Sequence, residues 1–174
     1  MFINRFLKRF VSPEKYARLI GVNMGKNNFI ADKNIWSAAE PYLITIGNNC
    51  QITYGVRIFT HGGGQVVRRQ IPDFDAFGRV IIGNFVYIGN NSLIMPGVKI
   101  EDGALIAAGS VVTKSIPPKV VVGGNPAKII CTIDEYIQRN LKYNTHSKGL
   151  NYDKKKELLE QLPNNLFITK GYMK

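Results

Sequence analysis

Residues 82–112 decide the fold, because an aliphatic side chain recurs there every six positions. The stretch reads IGNFVY-IGNNSL-IMPGVK-IEDGAL-IAAGSV-V, so that the leading residues are Ile82, Ile88, Ile94, Ile100, Ile106 and Val112. A small or β-branched residue stands four positions after the leading residue: Val86, Ser92, Val98, Ala104 and Ser110. An earlier tract has the same pattern, with Ile46, Ile52 and Ile58 leading and Cys50 and Val56 in the small position.

This six-residue period predicts a coil rather than a helix or an ordinary sheet. A period of six matches neither the 3.6 of an α-helix nor the 2 of an alternating strand. It is typical of a chain that winds through three short flat faces and turns at Gly and Asn, so that the leading side chains of successive coils stack in one apolar column. The alternative is a β-sandwich of short strands, but sandwich strands do not keep a single six-residue phase over five steps.

Length, charge and cysteine content set the broad class of the protein. A chain of 174 residues with 45% hydrophobic and 20% charged residues is expected to form one globular domain. The net charge of +11 fits nucleic acid, an anionic membrane or a phosphorylated small molecule. No nucleic-acid-binding motif accompanies the charge, so we expect no nucleic acid partner. Cys50 and Cys131 lack a disulfide or CxxC pattern, and no signal peptide is evident, which predicts a cytoplasmic protein with free thiols.

The tract that begins Ile82-Gly83-Asn84-Phe85-Val86-Tyr87-Ile88-Gly89 resembles the hexapeptide repeat of the left-handed β-helix acyltransferases, and looks most like the maltose, galactoside and capsular-sugar O-acetyltransferases. The resemblance implies a mainly β fold: a left-handed parallel β-helix with a long loop insertion and flanking N- and C-terminal α-helices. It also implies a homotrimer with its sites at the subunit interfaces. We expect an N-terminal amphipathic, helical segment at 1–19, the β-helix at 20–130 with the insertion at 61–79, and a helical tail at 131–174.

The insertion, HGGGQVVRRQIPDFDAFGR, leaves the repeat at His61 and returns to it near Arg79. A long loop on a rigid coil is more often functional than not. His61 is one of only two histidines, and the glycines after it permit close approach of a ligand to the backbone. The family's catalytic histidine lies at the corresponding loop, which implies that His61 is the general base. Glu40, Asp73 and Asp75 are candidates to orient His61 or to bind the acceptor.

A second motif follows the repeat, where AAGSVVTK precedes PP and GGNPAK. It resembles the coenzyme-binding stretch of the same family, in which small residues make room for the pantetheine arm and lysines meet phosphates. The resemblance implies that acetyl-CoA is the co-substrate. The sequence offers no set of metal ligands, so we expect no metal. The backbone N–H of Asn90 is a candidate donor to the oxyanion of the reaction. The coenzyme-binding residues implied are Tyr87, Gly89, Asn90, Ala108, Gly109, Thr113, Lys114 and Lys128.

The two ends of the chain have different patterns. Ser12-Pro13-Glu14 predicts a capped helix that runs to about Leu19. Before it, Phe2, Phe6 and Phe10 recur among basic residues, which fits either contact with an anionic membrane or packing over the open end of the coil. Residues 133–141 and 153–162 are predicted to be helices that pack outside the coil.

These patterns together predict an acetyl-CoA-dependent O-acetyltransferase that acts on a sugar, as part of a surface polysaccharide or its precursor. Two alternatives stay open: N-acetylation of an amino-sugar nucleotide, and a non-catalytic β-helix binding or scaffold protein. A zinc enzyme on the same scaffold would need three histidines, whereas the sequence has two that lie far apart.

Overall fold

The computed structural model describes residues 10–33, 35 and 39–172. Residues 1–9 of the predicted N-terminal segment lie outside this range, including Phe2 and Phe6 of its phenylalanine pattern; Phe10 is described and is exposed. Membrane contact therefore stays a prediction. The chain divides into two compact units, Met1–Ile133 and Asp134–Lys174.

The first unit is a coil of short strands that pair in parallel on three faces. The strands are β1 (Asn23–Met24), β2 (Phe29–Ile30), β3 (Ile44–Ile46), β4 (Gln51–Ile52), β5 (Arg57–Ile58), β6 (Val80–Ile82), β7 (Tyr87–Ile88), β8 (Leu93–Ile94), β9 (Lys99–Ile100), β10 (Leu105–Ile106), β11 (Val111–Val112), β12 (Val120–Gly124) and β13 (Ala127–Thr132). The first face has the strand order β1-β3-β6-β9, the second β13-β12-β10-β7-β4-β2 and the third β11-β8-β5. All these pairs are parallel except β12 with β13. The predicted parallel β-helix is confirmed.

The strand register shows how the repeat and the insertion fit together. Ile88 pairs with Ile106, 18 positions later, which is the length of one coil. Ile52 pairs with Ile88, 36 positions later, so the insertion adds the length of one further coil without adding a coil. The leading residues form the predicted apolar column, since each of the nine named above is at most 2% exposed. The seven residues of the small position are buried in the same core.

A ladder of side chains joins successive coils at one corner. Asn48 Oδ1 accepts the backbone N–H of Lys26 at 2.8 Å, and Asn84 Oδ1 accepts the N–H of Asn48 at 2.9 Å. Asp102 Oδ1 in turn accepts the N–H of Asn84 at 2.7 Å. Hydrogen bonds from Asn84 hold the pKa of the Asp102 carboxyl below its ordinary value, with the backbone N–H contributing most and the side-chain amide next. The polar turn residues of the repeat therefore bond from coil to coil.

The remaining elements follow local signals. The helix α1 (Pro13–Leu19) is confirmed, with the Ser12 hydroxyl accepting the N–H of Lys15 at 3.3 Å. A short helix, α2 (Gly64–Val67), lies in the insertion. At the other end of the coil the antiparallel pair β12–β13 forms a hairpin around residues 125–126, which the repeat pattern did not predict.

The tail has two helices, α3 (Ile133–Asn140), which begins at the last residue of the first unit, and α4 (Tyr152–Glu160), so both predicted helices are confirmed. Three-residue 3₁₀ turns occupy Leu141–Tyr143 and Asn164–Leu166 of the tail, and another occupies Pro41–Leu43 of the first unit. Among the described residues, no helix has both the length and the apolar character needed to cross a membrane.

Candidate active site

The insertion leaves the coil after β5 and closes on itself at a narrow neck. The N–H of Gly78 donates to the carbonyl of Thr60 at 2.7 Å, and His61 and Phe77 form an antiparallel bridge beside it. Between the neck and α2 lies a cleft of about 300 Å³. Its walls are formed by Glu40, His61, Gly62, Gly63, Gly64, Gln65, Arg68, Asp75, Ala76 and Phe77.

A histidine–carboxylate pair stands in this cleft. Nδ1 of His61 lies 2.9 Å from Oε2 of Glu40, and the Thr60 hydroxyl donates to the same oxygen at 2.8 Å. Because an ionised carboxylate oxygen only accepts hydrogen bonds, the proton of a neutral His61 resides on Nδ1. Nε2 is then the nitrogen with a free lone pair. The His61 side chain is 41% exposed and that of Glu40 is 16% exposed, so the imidazole is accessible while the carboxylate is largely covered.

An aromatic ring also contacts the imidazole. The centroids of the His61 and Phe77 rings are 5.4 Å apart with an interplanar angle of 55°, a tilted contact. Phe77 is also half exposed, so it presents part of its ring to the cleft. The imidazole is thus held by a carboxylate through one nitrogen and by an aromatic ring.

The two aspartates predicted in the insertion have different surroundings. Asp75 lines the cleft and forms an ion pair with Arg68, in which Oδ1 lies 3.2 Å from Nη2. Nε of Arg68 also donates to the carbonyl of Phe74 at 2.9 Å. Asp73 is exposed in the same loop and is not part of the cleft wall. Of the three carboxylates considered from the sequence, Glu40 is the one that contacts His61.

The predicted coenzyme lysines share a depression at the end of the coil. Lys114 and Lys128 both line a hollow of about 180 Å³ next to Pro117 and Ala127, and Thr113 is exposed beside Lys114. The hairpin β12–β13 brings Lys128 to this position, because it folds the chain back over the last coil. Two cations at one apolar hollow can bind an anionic group such as a phosphate.

The remaining predicted coenzyme residues lie on the coil surface and in its turns. Tyr87 is 36% exposed on β7, and Ala108 and Asn90 are exposed in turns. The N–H of Gly109 donates to the carbonyl of Asn90 at 2.8 Å, which joins neighbouring coils. Gly89 is buried, and a Cβ there would lie 2.5 Å from the backbone nitrogen of Ala108. Glycine at 89 is therefore required by coil stacking, whatever its relation to a ligand.

Sequence reasoning missed two residues of the cleft wall, Arg68 and Phe77, and the buried Thr60 that bonds to Glu40. Thr60 could have been found from the alternation of strand side chains, because Ile58 and Thr60 point to the same side and Thr60 is fully buried. Phe77 and Arg68 carried no comparable signal. Their positions depend on how the insertion folds, which a six-residue repeat does not specify.

Comparison with known proteins agrees with this fold. The family model "Bacterial transferase hexapeptide (six repeats)" matches residues 79–114. Protein CapG of Staphylococcus aureus is 43% identical over 87% of this chain and 89% of its own length. Galactoside O-acetyltransferase of Escherichia coli is 37% identical over 66% of this chain and 55% of its own length.

A solved structure, galactoside acetyltransferase in complex with coenzyme A, has the same fold. Its TM-score is 0.51 at 25% identity, covering 79% of this chain and 82% of that one. The similarity to CapG spans nearly the full length of both chains, and the repeat region matches the family model. The chain belongs to the hexapeptide-repeat acetyltransferases, enzymes built on the left-handed β-helix.

Proposed function

We propose that this enzyme transfers an acetyl group from acetyl-CoA to a hydroxyl of a sugar, with His61 as the general base. The observation that carries the proposal is the Glu40–His61 pair, which stands in the cleft of the loop insertion with Nδ1 bonded to Oε2 at 2.9 Å. A histidine with one nitrogen fixed by a carboxylate has the other nitrogen available for proton transfer.

The chemistry requires such a base because a sugar hydroxyl is a weak nucleophile near neutral pH. Nε2 of His61 takes the hydroxyl proton as the oxygen attacks the thioester carbonyl, and the proton then passes to the departing sulfur. Glu40 keeps the imidazole in the required tautomer and stabilises its positive charge between these two transfers. The backbone N–H of Asn90 is our candidate donor to the developing oxyanion. Transfer is direct, since Cys50, buried in the coil core, is not placed to act as a nucleophile.

The coenzyme is proposed to lie along the coil surface toward the hollow at Lys114 and Lys128. Exposed Ala108 leaves room for the pantetheine arm, and Tyr87 offers an aromatic surface beside it. Thr113 and the two lysines meet the phosphates. The structure of galactoside acetyltransferase bound to coenzyme A supports acetyl-CoA as the donor.

The acceptor is proposed to be a sugar of a surface polysaccharide or its precursor. The relatives named as galactoside acetyltransferases support a sugar acceptor. The cleft fits this class, because it combines polar side chains such as Gln65 with the half-exposed ring of Phe77. We also propose a homotrimer, which is supported by the exposed apolar side chains Val66 and Ile71 of the loop, since a neighbouring subunit can cover them.

Product chemistry distinguishes O-acetylation from N-acetylation of an amino-sugar nucleotide. The purified enzyme is incubated with acetyl-CoA and a panel of glycosides and nucleotide sugars, and release of the coenzyme thiol is measured with a chromogenic thiol reagent. An acetylated product that loses its acetyl group in mild alkali is an ester and supports the proposal. An alkali-stable product on an amino sugar would instead establish the N-acetyltransferase alternative. Coenzyme binding without transfer to any acceptor would favour a binding protein.

A further inference from the structure

Thr60 is a fully buried polar residue next to the Glu40–His61 pair. Its exposed fraction is 0%, and a buried hydroxyl needs a hydrogen-bond partner. Here the partner is not a backbone carbonyl but Oε2 of Glu40, at 2.8 Å. This arrangement differs from that of Thr53, a buried threonine of the coil, whose hydroxyl donates to the carbonyl of Ile88 at 2.7 Å.

Two donors therefore converge on a single carboxylate oxygen. Oε2 of Glu40 receives the Thr60 hydroxyl at 2.8 Å and lies 2.9 Å from Nδ1 of His61. A glutamate side chain has three rotatable bonds, and Glu40 lies outside the strands, directly before the 3₁₀ turn Pro41–Leu43. A second, buried donor fixes the position of Oε2 and so restricts where the imidazole can bond.

Thr60 is itself held in place by the neck of the insertion. Its carbonyl accepts the N–H of Gly78 at 2.7 Å, and the next residue, His61, forms the bridge with Phe77. The same residue thus ties the two ends of the loop together and anchors the carboxylate. A group held this rigidly can transmit its position to its partner.

We propose that Thr60 is a positioning residue, whose hydroxyl fixes Glu40 so that His61 keeps its proton on Nδ1 and presents Nε2 to the acceptor. The proposal rests on the proposed function for its effect on rate, but its geometric part concerns the imidazole alone. A rigidly aimed base has a measurable advantage, since displacements on the order of 1 Å can cost about a hundred-fold in rate.

The test replaces the hydroxyl by a methyl group of the same shape. Thr60→Val is expected to lower kcat about ten-fold with little change in KM for acetyl-CoA, since small displacements of a reacting group are costly. Thr60→Ser should restore most of the rate. In a Glu40→Ala background, Thr60→Val should have no further effect, because the hydroxyl acts through the carboxylate. Thr53→Val, which removes a buried hydroxyl from the coil, is the matched control and should keep the activity of the parent protein.

Nitrogen NMR of the imidazole gives a readout that does not need turnover. The sequence has only two histidines, which simplifies assignment of the His61 ring. Thr60→Val is expected to shift the His61 signals from a single Nδ1–H tautomer toward a mixture, whereas Thr60→Ser and Thr53→Val leave them unchanged. An unchanged ring spectrum in Thr60→Val, or an equal rate loss with and without Glu40, would overturn the proposal. If the wild-type enzyme transfers no acetyl group but the spectrum changes as expected, the proposed function fails and the positioning role stands.

Discussion

Replacing Gly47 by alanine tests the coil stacking on which the whole site is built. Gly47 lies at the corner of the polar ladder, and its N–H donates to the carbonyl of Ile82 at 2.8 Å. A Cβ at this position would lie 2.6 Å from the carbonyl oxygen of Gly83, 2.7 Å from its carbonyl carbon and 2.8 Å from Oδ1 of Asn84. Two of these three atoms belong to the backbone of the next coil, so a side-chain rotation cannot relieve the clash.

The expected cost follows from these contacts. Overpacking against a rigid neighbour costs about 1–3 kcal/mol. Moving the coils apart also weakens the hydrogen bonds from Gly47 and from the N–H of Asn48, each of which contributes about 0.5–1.5 kcal/mol. Alanine also reduces the conformational entropy of the unfolded chain, which offsets about 0.4–1 kcal/mol of this destabilisation. The net loss is about 2–4 kcal/mol, which for a chain of this size lowers Tm by about 5–15 °C.

Thermal unfolding followed by far-ultraviolet circular dichroism measures this loss, at equal protein concentration because assembly also affects Tm. Gly171→Ala is the control, since a Cβ at Gly171 meets nothing within 4 Å. A Gly47→Ala protein that melts within 1–2 °C of the wild type, well short of the shift of about 5 °C expected at the lower bound, would refute the stacking argument.

Three further predictions concern charge and protonation. If Lys114 meets a phosphate as proposed, Lys114→Ala should weaken binding of acetyl-CoA about ten-fold in calorimetry, with a smaller loss at high salt; equal affinity would place the phosphates elsewhere. Burial raises the pKa of the Cys50 thiol above its ordinary value of 9.0, so iodoacetamide at pH 8 should label Cys50 only after unfolding. Any stability that the neutral thiol contributes is present below pH 9 and is lost in stronger alkali. Rapid labelling of Cys50 in the native protein would contradict its burial. The pKa of Asp102 is held below 3.8, so its contribution to stability is present above that pH and lost as the pH falls through the lowered value. Acid titration of Asp102→Asn should therefore show a shallower loss of stability than the wild type, and identical acid unfolding of the two proteins would exclude the ladder as a source of stability.

The coil could be predicted from the sequence because its information is local and repeated. Ile88 and Ile106 occupy equivalent positions, so a regular phase alone indicates that they stack. The terminal hairpin could not be found in this way, because β12 continues the parallel stacking while β13 reverses it. Residue Gly89 shows a related limit: the motif pointed to a ligand, whereas the structure shows that its missing Cβ first of all allows close packing on Ala108.

The site was only partly predictable, because it depends on contacts between distant segments. His61 is a candidate both from its position at the break in the repeat and from the family resemblance of that loop. The choice among Glu40, Asp73 and Asp75 stayed open in the sequence, because it depends on where residue 40 lies in space relative to residue 61, and the intervening segment includes irregular turns. The structure resolves that choice of contact in favour of Glu40. The Thr60 contact emerged only once the carboxylate had been located.

The most direct test of the account compares the two histidines of the chain in acetyl transfer from acetyl-CoA to the best glycoside acceptor. His61→Ala is expected to lower kcat by about 10²–10⁴, the usual contribution of a general base, while still binding acetyl-CoA in calorimetry. His146→Ala, which changes the histidine of the second unit, should transfer acetyl groups at the wild-type rate. A His61→Ala protein that keeps the wild-type kcat would contradict the central claim that the Glu40–His61 pair performs the proton transfer.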